Sequence, residues 1–87
     1  MASYRVEIKK SASKELERIG GRRDRERIVE KILALATEPR PLGVEKLTDK
    51  EQYRLRQGNY RILYEIHNDL LLVVVIKIAD RKDAYRR

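Results

Sequence analysis

With 87 residues, 21 Lys plus Arg against 14 Asp plus Glu and a net charge of +7, the chain is expected to form one small basic domain, residues 1–87, with a modest core. It has no cysteine and a single histidine, His67, which excludes a disulfide framework, a zinc ribbon, a thiol nucleophile and a multi-histidine metal site. No apolar run approaches the roughly 18–20 residues of a membrane span and no apolar leader opens the sequence, so the chain reads as cytoplasmic, with no membrane partner.

Charged residues make up 40% of the chain, but the 41% that are hydrophobic are patterned, which argues against disorder. Tyr4-Arg5-Val6-Glu7-Ile8 alternates apolar and polar residues and predicts a half-buried strand. Ser11 is placed to cap a helix that carries Ala12, Leu16 and Ile19 on one face and closes at Gly20-Gly21. A second helix follows, with Ile28, Val29, Ile32, Leu33 and Ala36 as its apolar stripe. The charges on its other faces, from Arg22 to Lys31, read as a solvated surface of mixed sign. Pro39 and Pro41 stop that helix and open a loop to about residue 50.

The second half switches to strand patterning. Tyr53–Gln57 and Tyr60–Ile66 both alternate, and Gly58-Asn59 between them fits a two-residue type II′ hairpin turn. A turn at His67-Asn68-Asp69 leads into Leu70–Ile78, a nearly continuous aliphatic strand of the kind covered on both faces or paired on both sides. The polar tail 80–87 has room for one helical turn. The order is β-α-α-β-β-β, an α+β fold with a small antiparallel sheet and an N-terminal helical pair packed on one face.

The positive charge gathers in two places. Lys46, Lys50, Arg54, Arg56 and Arg61 outweigh Asp49 and Glu51 in residues 46–61, and Arg81, Lys82, Arg86 and Arg87 outweigh Asp83 in the tail. If Gly58-Asn59 is the turn, Gln57 pairs with Tyr60, Leu55 with Ile62, and Arg56 faces Arg61. Alternation then puts Arg54, Arg56 and Arg61 on one face, with Tyr53, Leu55, Tyr60, Ile62 and Tyr64 on the other, against the helices. Like charges directly opposite one another destabilise a sheet, and such violations concentrate at functional sites. Three guanidinium groups on one face suit a polyanion, most often nucleic acid. Tyr85 adds an aromatic ring near the basic tail, a platform for an unpaired base.

The run Tyr53-Arg-Leu-Arg-Gln-Gly-Asn-Tyr-Arg-Ile-Leu-Tyr-Glu-Ile66, the Lys46-Leu47 before it, the aliphatic strand and Arg81-Lys-Asp-Ala-Tyr-Arg86 together resemble the RelE branch of the RelE/ParE toxin superfamily. The resemblance covers nearly the whole chain. It implies the toxin of a type II toxin–antitoxin pair, a RelE-like endoribonuclease that enters the ribosomal A site and cuts mRNA without a metal or other cofactor. The RNA's own 2′-hydroxyl attacks the adjacent phosphate, leaving a cyclic phosphate and a free 5′-hydroxyl. By position, Arg56, Arg61, Arg81 and Tyr85 fall at the catalytic site, and Lys46, Arg54 and Lys82 on the RNA. The implied partners are a cognate antitoxin, the ribosome and mRNA; the oligomeric state of the complex stays open. Arginine is a poor acid or base, so positioning and charge stabilisation carry most of this reading, with Tyr85 as base or as stacking platform. Many relatives have Gly-His where this chain has Ala79-Asp80, and some have lysines where it has Arg54 and Arg56, which removes a histidine acid and a lysine base and sets a carboxylate beside Arg81. Two alternatives are a ParE-like DNA gyrase inhibitor, which acts by binding, and a basic RNA- or ribosome-binding module without catalysis. His67, in a turn distant from these residues, reads as surface.

Overall fold

The computed structural model describes residues 3–47 and 51–80. Its elements are β1 (Arg5–Ile8), α1 (Lys10–Glu17), α2 (Arg22–Ala34), β2 (Glu45–Lys46), β3 (Gln52–Gln57), β4 (Tyr60–His67) and β5 (Leu72–Asp80), with one 3₁₀ turn at Asn68–Leu70. The strands form a single sheet in the order β1-β5-β4-β3-β2, with the helical pair against it. This is the expected α+β arrangement, with two additions. β1 joins β5 in parallel, so the sheet is mixed, and β2 appears as a two-residue edge strand inside the segment read as loop.

The aliphatic strand β5 is central because it is paired on both sides, to β1 and to β4. Between Leu63↔Lys77 and Tyr64↔Val75 the register skips Ile76, a bulge that reverses the in–out phase of the strand. Val73 and Val75 point into the core before the bulge, and Ile78 after it. The 3₁₀ turn, followed by Leu71 in the left-handed region at φ 49°, makes the connection expected over His67–Asp69.

α1 begins at Lys10, without a side-chain cap; Ser11 is not its N-cap. The start is set instead by the sheet. Lys9 N–H still donates to the Val75 carbonyl at 2.9 Å as the last rung beside β1, and the Lys9 carbonyl accepts the first helical bond from Ser13, at 2.8 Å. Beyond β1 the edge of β5 is open, and α1 covers it: the Glu15 carboxylate accepts from Ile78 N–H at 2.8 Å and from Lys77 Nζ at 2.8 Å. In α2 the buried stripe is narrower than the sequence implied. Ile28, Ile32 and Leu35 are buried, whereas Val29 and Leu33 face out at 36% and 62% exposure, because the small sheet is met along one line of the helix.

The core closes around Tyr53, Leu55, Ile62, Tyr64 and Ile66 of the hairpin face and these helical residues. Tyr53 and Tyr64 stack at 5.8 Å, and the fully buried Tyr64 hydroxyl donates to the Pro39 carbonyl at 2.7 Å, which anchors the loop leaving α2. A polar clamp finishes that end of the sheet. Arg40 donates to the Tyr53 hydroxyl at 2.9 Å and to Glu51, while Tyr53 donates to Glu51 at 2.9 Å. Arg40 first, then Tyr53, hold the Glu51 carboxyl at about 2, against an ordinary 4.5. Because its folded value is depressed, the stability it contributes is present above pH 4.5 and is lost as pH falls towards 2. Glu51→Gln is therefore expected to flatten the acid limb of stability, measured as the urea midpoint near neutral pH and at about pH 3. An acid limb as steep as that of the wild type would remove Glu51 from this role.

Candidate functional site

The hairpin sets the site. Gly58 adopts φ +61° at the first central turn position while Asn59 keeps a negative φ, the combination of a type II′ turn. The register that follows is Gln57↔Tyr60, Arg56↔Arg61, Leu55↔Ile62 and Arg54↔Leu63. Arg54, Arg56 and Arg61 thus share the sheet face turned away from the helices. Arg56 is exposed, Arg54 and Arg61 are half-buried, and the Arg61 Nε is shielded from solvent. The like-charged pair expected from the sequence is present, side by side across the ladder.

Two further strands frame this face. On one side Ala79 lies opposite Arg61, and Lys77 is opposite Leu63 with its ammonium on Glu15. On the other side Glu45 of β2 lies opposite Arg54, and one carboxylate oxygen accepts from both Nε at 3.1 Å and Nη2 at 2.7 Å. Arg54 foremost, with smaller contributions from Arg56 and Arg61, holds the Glu45 carboxyl below its usual range. One carboxylate thus lies within electrostatic reach of all three guanidinium groups.

Among the other candidates, Lys46 does not join the arginine face. It lies opposite Tyr53, whose ring enters the core, and its ammonium pairs with Glu51 at 3.3 Å, in the clamp at the other side of the sheet. Asp80 pairs with Tyr60, and this register sets it on the sheet face opposite that of Arg54, Arg56 and Arg61. There it lines a polar cleft with Arg18 and Tyr60; burial, then Asp80 and Asp24, push the Tyr60 phenol up. His67 sits at the far end of β4 on Glu65, 3.2 Å away. Arg81, Lys82 and Tyr85 lie outside the described residues. Sequence reasoning missed Glu45 and Lys77. Glu45 sits in a strand too short to have a period, whereas Lys77 was visible as the one charge inside the aliphatic run.

The family model for the ParE toxin of the type II toxin–antitoxin system parDE matches residues 6–85. The chain belongs to the RelE/ParE toxin superfamily. This toxin is 34% identical over 76 residues to Toxin RelG of Mycobacterium tuberculosis, a match covering 76% of the chain and 87% of RelG. Among solved structures it is similar to the archaeal RelE–RelB complex from Pyrococcus horikoshii, with a TM-score of 0.80 at 26% identity, over 98% of the toxin and 99% of the matched chain. The toxin–antitoxin complex RelBE2 from M. tuberculosis gives 0.79 at 26% identity, covering 91% and 99%. The isolated Escherichia coli RelE toxin shares the fold, with a TM-score of 0.78 at 21% identity over 90% and 84% of the two chains. Among the described residues, no helix of the toxin is long and apolar enough to cross a membrane.

Proposed function

We propose that this toxin is a ribosome-dependent mRNA endonuclease that cuts in the A site by attack of the RNA 2′-hydroxyl, as the RelE-type relatives suggest. The observation that carries the reading is the exposed face holding Arg54, Arg56 and Arg61, with Arg56 directly opposite Arg61. A small sheet tolerates that repulsion at a cost, and a bound phosphate backbone offsets it.

In the reaction the 2′-oxygen bonds to phosphorus as its proton leaves, the bond from phosphorus to the 5′-oxygen breaks, and that oxygen takes up a proton. The products are a 2′,3′-cyclic phosphate and a 5′-hydroxyl. Arg61 and Arg56 donate to the non-bridging oxygens, whose negative charge grows in the transition state. Arg81 is assigned to the same clamp, Tyr85 to the base or to stacking on the nucleobase, and Arg54 and Lys82 to the flanking phosphates. Lys46 is assigned to the periphery of the RNA path, since its strand register sets it apart from the arginine face. RelE proteins have been solved bound to RelB antitoxins, and a cognate antitoxin is assigned to this toxin on that basis.

The match to the ParE model supports a second reading, inhibition of DNA gyrase by binding alone. Primer extension on mRNA from a reconstituted translation reaction decides between them. Codon-phased cuts that need both toxin and ribosomes are expected. Intact mRNA together with inhibited supercoiling would favour the gyrase reading.

A further inference from the structure

We propose that Glu45 is a positioning residue that holds Arg54 in reserve, so that RNA recruits Arg54 only when a phosphate displaces the Glu45 carboxylate. The inference rests on the RNA-binding reading above and goes beyond it in assigning a role to an acidic residue in a cationic site.

The geometry is specific. Glu45 occupies the edge of the Arg54 guanidinium that presents Nε and Nη2, at 3.1 and 2.7 Å. That pair of donors is one an incoming phosphate takes in a bidentate contact, so carboxylate and phosphate compete for the same edge. Displacement is feasible, because the Glu45 side chain is 52% exposed and solvent screens a surface ion pair of this kind. Nor is the pair needed to hold β2 in place, since Leu47 N–H also donates to the Gln52 carbonyl at 2.9 Å. Among the described residues, Glu51 and Lys46 of the same edge are engaged with each other. The arginines keep Glu45 ionised, so competition by phosphate, and not protonation near neutral pH, releases Arg54. With Glu45 in place the face carries one fewer available cation for weak, non-specific RNA. A well-placed phosphate recovers it.

The test uses the full chain and a short 2′-O-methyl oligoribonucleotide, which binds without being cut. Its affinity is followed by fluorescence anisotropy across a salt series. Glu45→Gln removes the charge and keeps the shape. It is expected to tighten binding by about 3–10-fold at low salt and to steepen the slope of log affinity against log salt by about 0.7, one further phosphate neutralised. In an Arg54→Ala background the same substitution is expected to leave the slope unchanged. An unchanged slope in Glu45→Gln alone overturns the proposal, and so does an equal tightening with Arg54 absent, which would mean simple repulsion. Arg56→Ala and Arg61→Ala separate the two levels of failure. If they weaken the oligonucleotide while Glu45→Gln changes nothing, only the role of Glu45 falls; if neither weakens it, the RNA-binding reading falls as well.

Discussion

Arg61→Ala is expected to slow mRNA cleavage by about 10²–10³-fold, the usual cost of removing one preorganised donor from a developing oxyanion. Arg61 is more enclosed than Arg56, its neighbour across the ladder. It projects from the middle strands of the sheet, is half-buried, and has Arg56 across the ladder and Ala79 on its other side. A guanidinium held this way loses little freedom when it binds phosphate, which is why its removal should affect the rate more than the loss of exposed Arg56. Relief of repulsion with Arg56 offsets part of the packing lost, so the melting temperature should move by less than about 4 °C. Arg61→Lys keeps the charge without the planar fork and should fall between the two. The check is a time course of primer-extension products in a translating extract, beside a thermal melt. A near-wild-type rate in a folded variant would remove Arg61 from the site, and a collapse of the melt would make its role structural.

Tyr64→Ala is expected to cost about 3–5 kcal/mol, which approaches the whole stability of a small domain. Tyr64 is fully buried, stacks on Tyr53 and donates to the Pro39 carbonyl, so one side chain joins the hairpin to the loop that leaves α2. The hydroxyl and the ring can be separated. Tyr64→Phe keeps the ring, leaves the Pro39 carbonyl without this donor, and should cost about 1–2 kcal/mol. Burial holds the phenol well above its ordinary value, so it stays protonated and keeps donating across the usual pH range. Urea unfolding of the three proteins measures both steps. Equal losses for Phe and Ala would assign the whole effect to the hydrogen bond.

The two RelE/ParE activities make different demands on the arginine face. Cleavage needs donors aimed at one phosphate, whereas a binding inhibitor needs only a complementary surface. The Arg61 rate and the Glu45 salt slope therefore probe separate properties: the first reads chemistry, the second the competition of phosphate and carboxylate for Arg54.

Much of the hairpin was determined locally. Period-two alternation, a glycine suited to positive φ and a two-residue turn together set the register, with Gln57 opposite Tyr60, Arg56 opposite Arg61 and Leu55 opposite Ile62 as expected, and with it the face shared by Arg54, Arg56 and Arg61. Helix positions followed from their apolar spacing, though the start of α1 depended on where the β1 ladder ended rather than on Ser11. The resemblance to the superfamily was legible because its motif residues fall in short runs, Tyr53–Ile66 and Arg81–Arg86. What the sequence alone could not determine were the relations between distant segments. Parallel pairing of β1 with β5 joins residues more than sixty positions apart, and nothing in local periodicity encodes the direction of such a pair. β2 exists only because β3 offers it an edge, so the partner of Arg54 became visible with the assembled sheet. The bulge at Ile76 had the largest consequence. By reversing the phase of β5 it turned Lys77 and Ala79 to the arginine side and Asp80 to the helical side, where the strand's neighbours, not its own residue order, decide which side chains face the site.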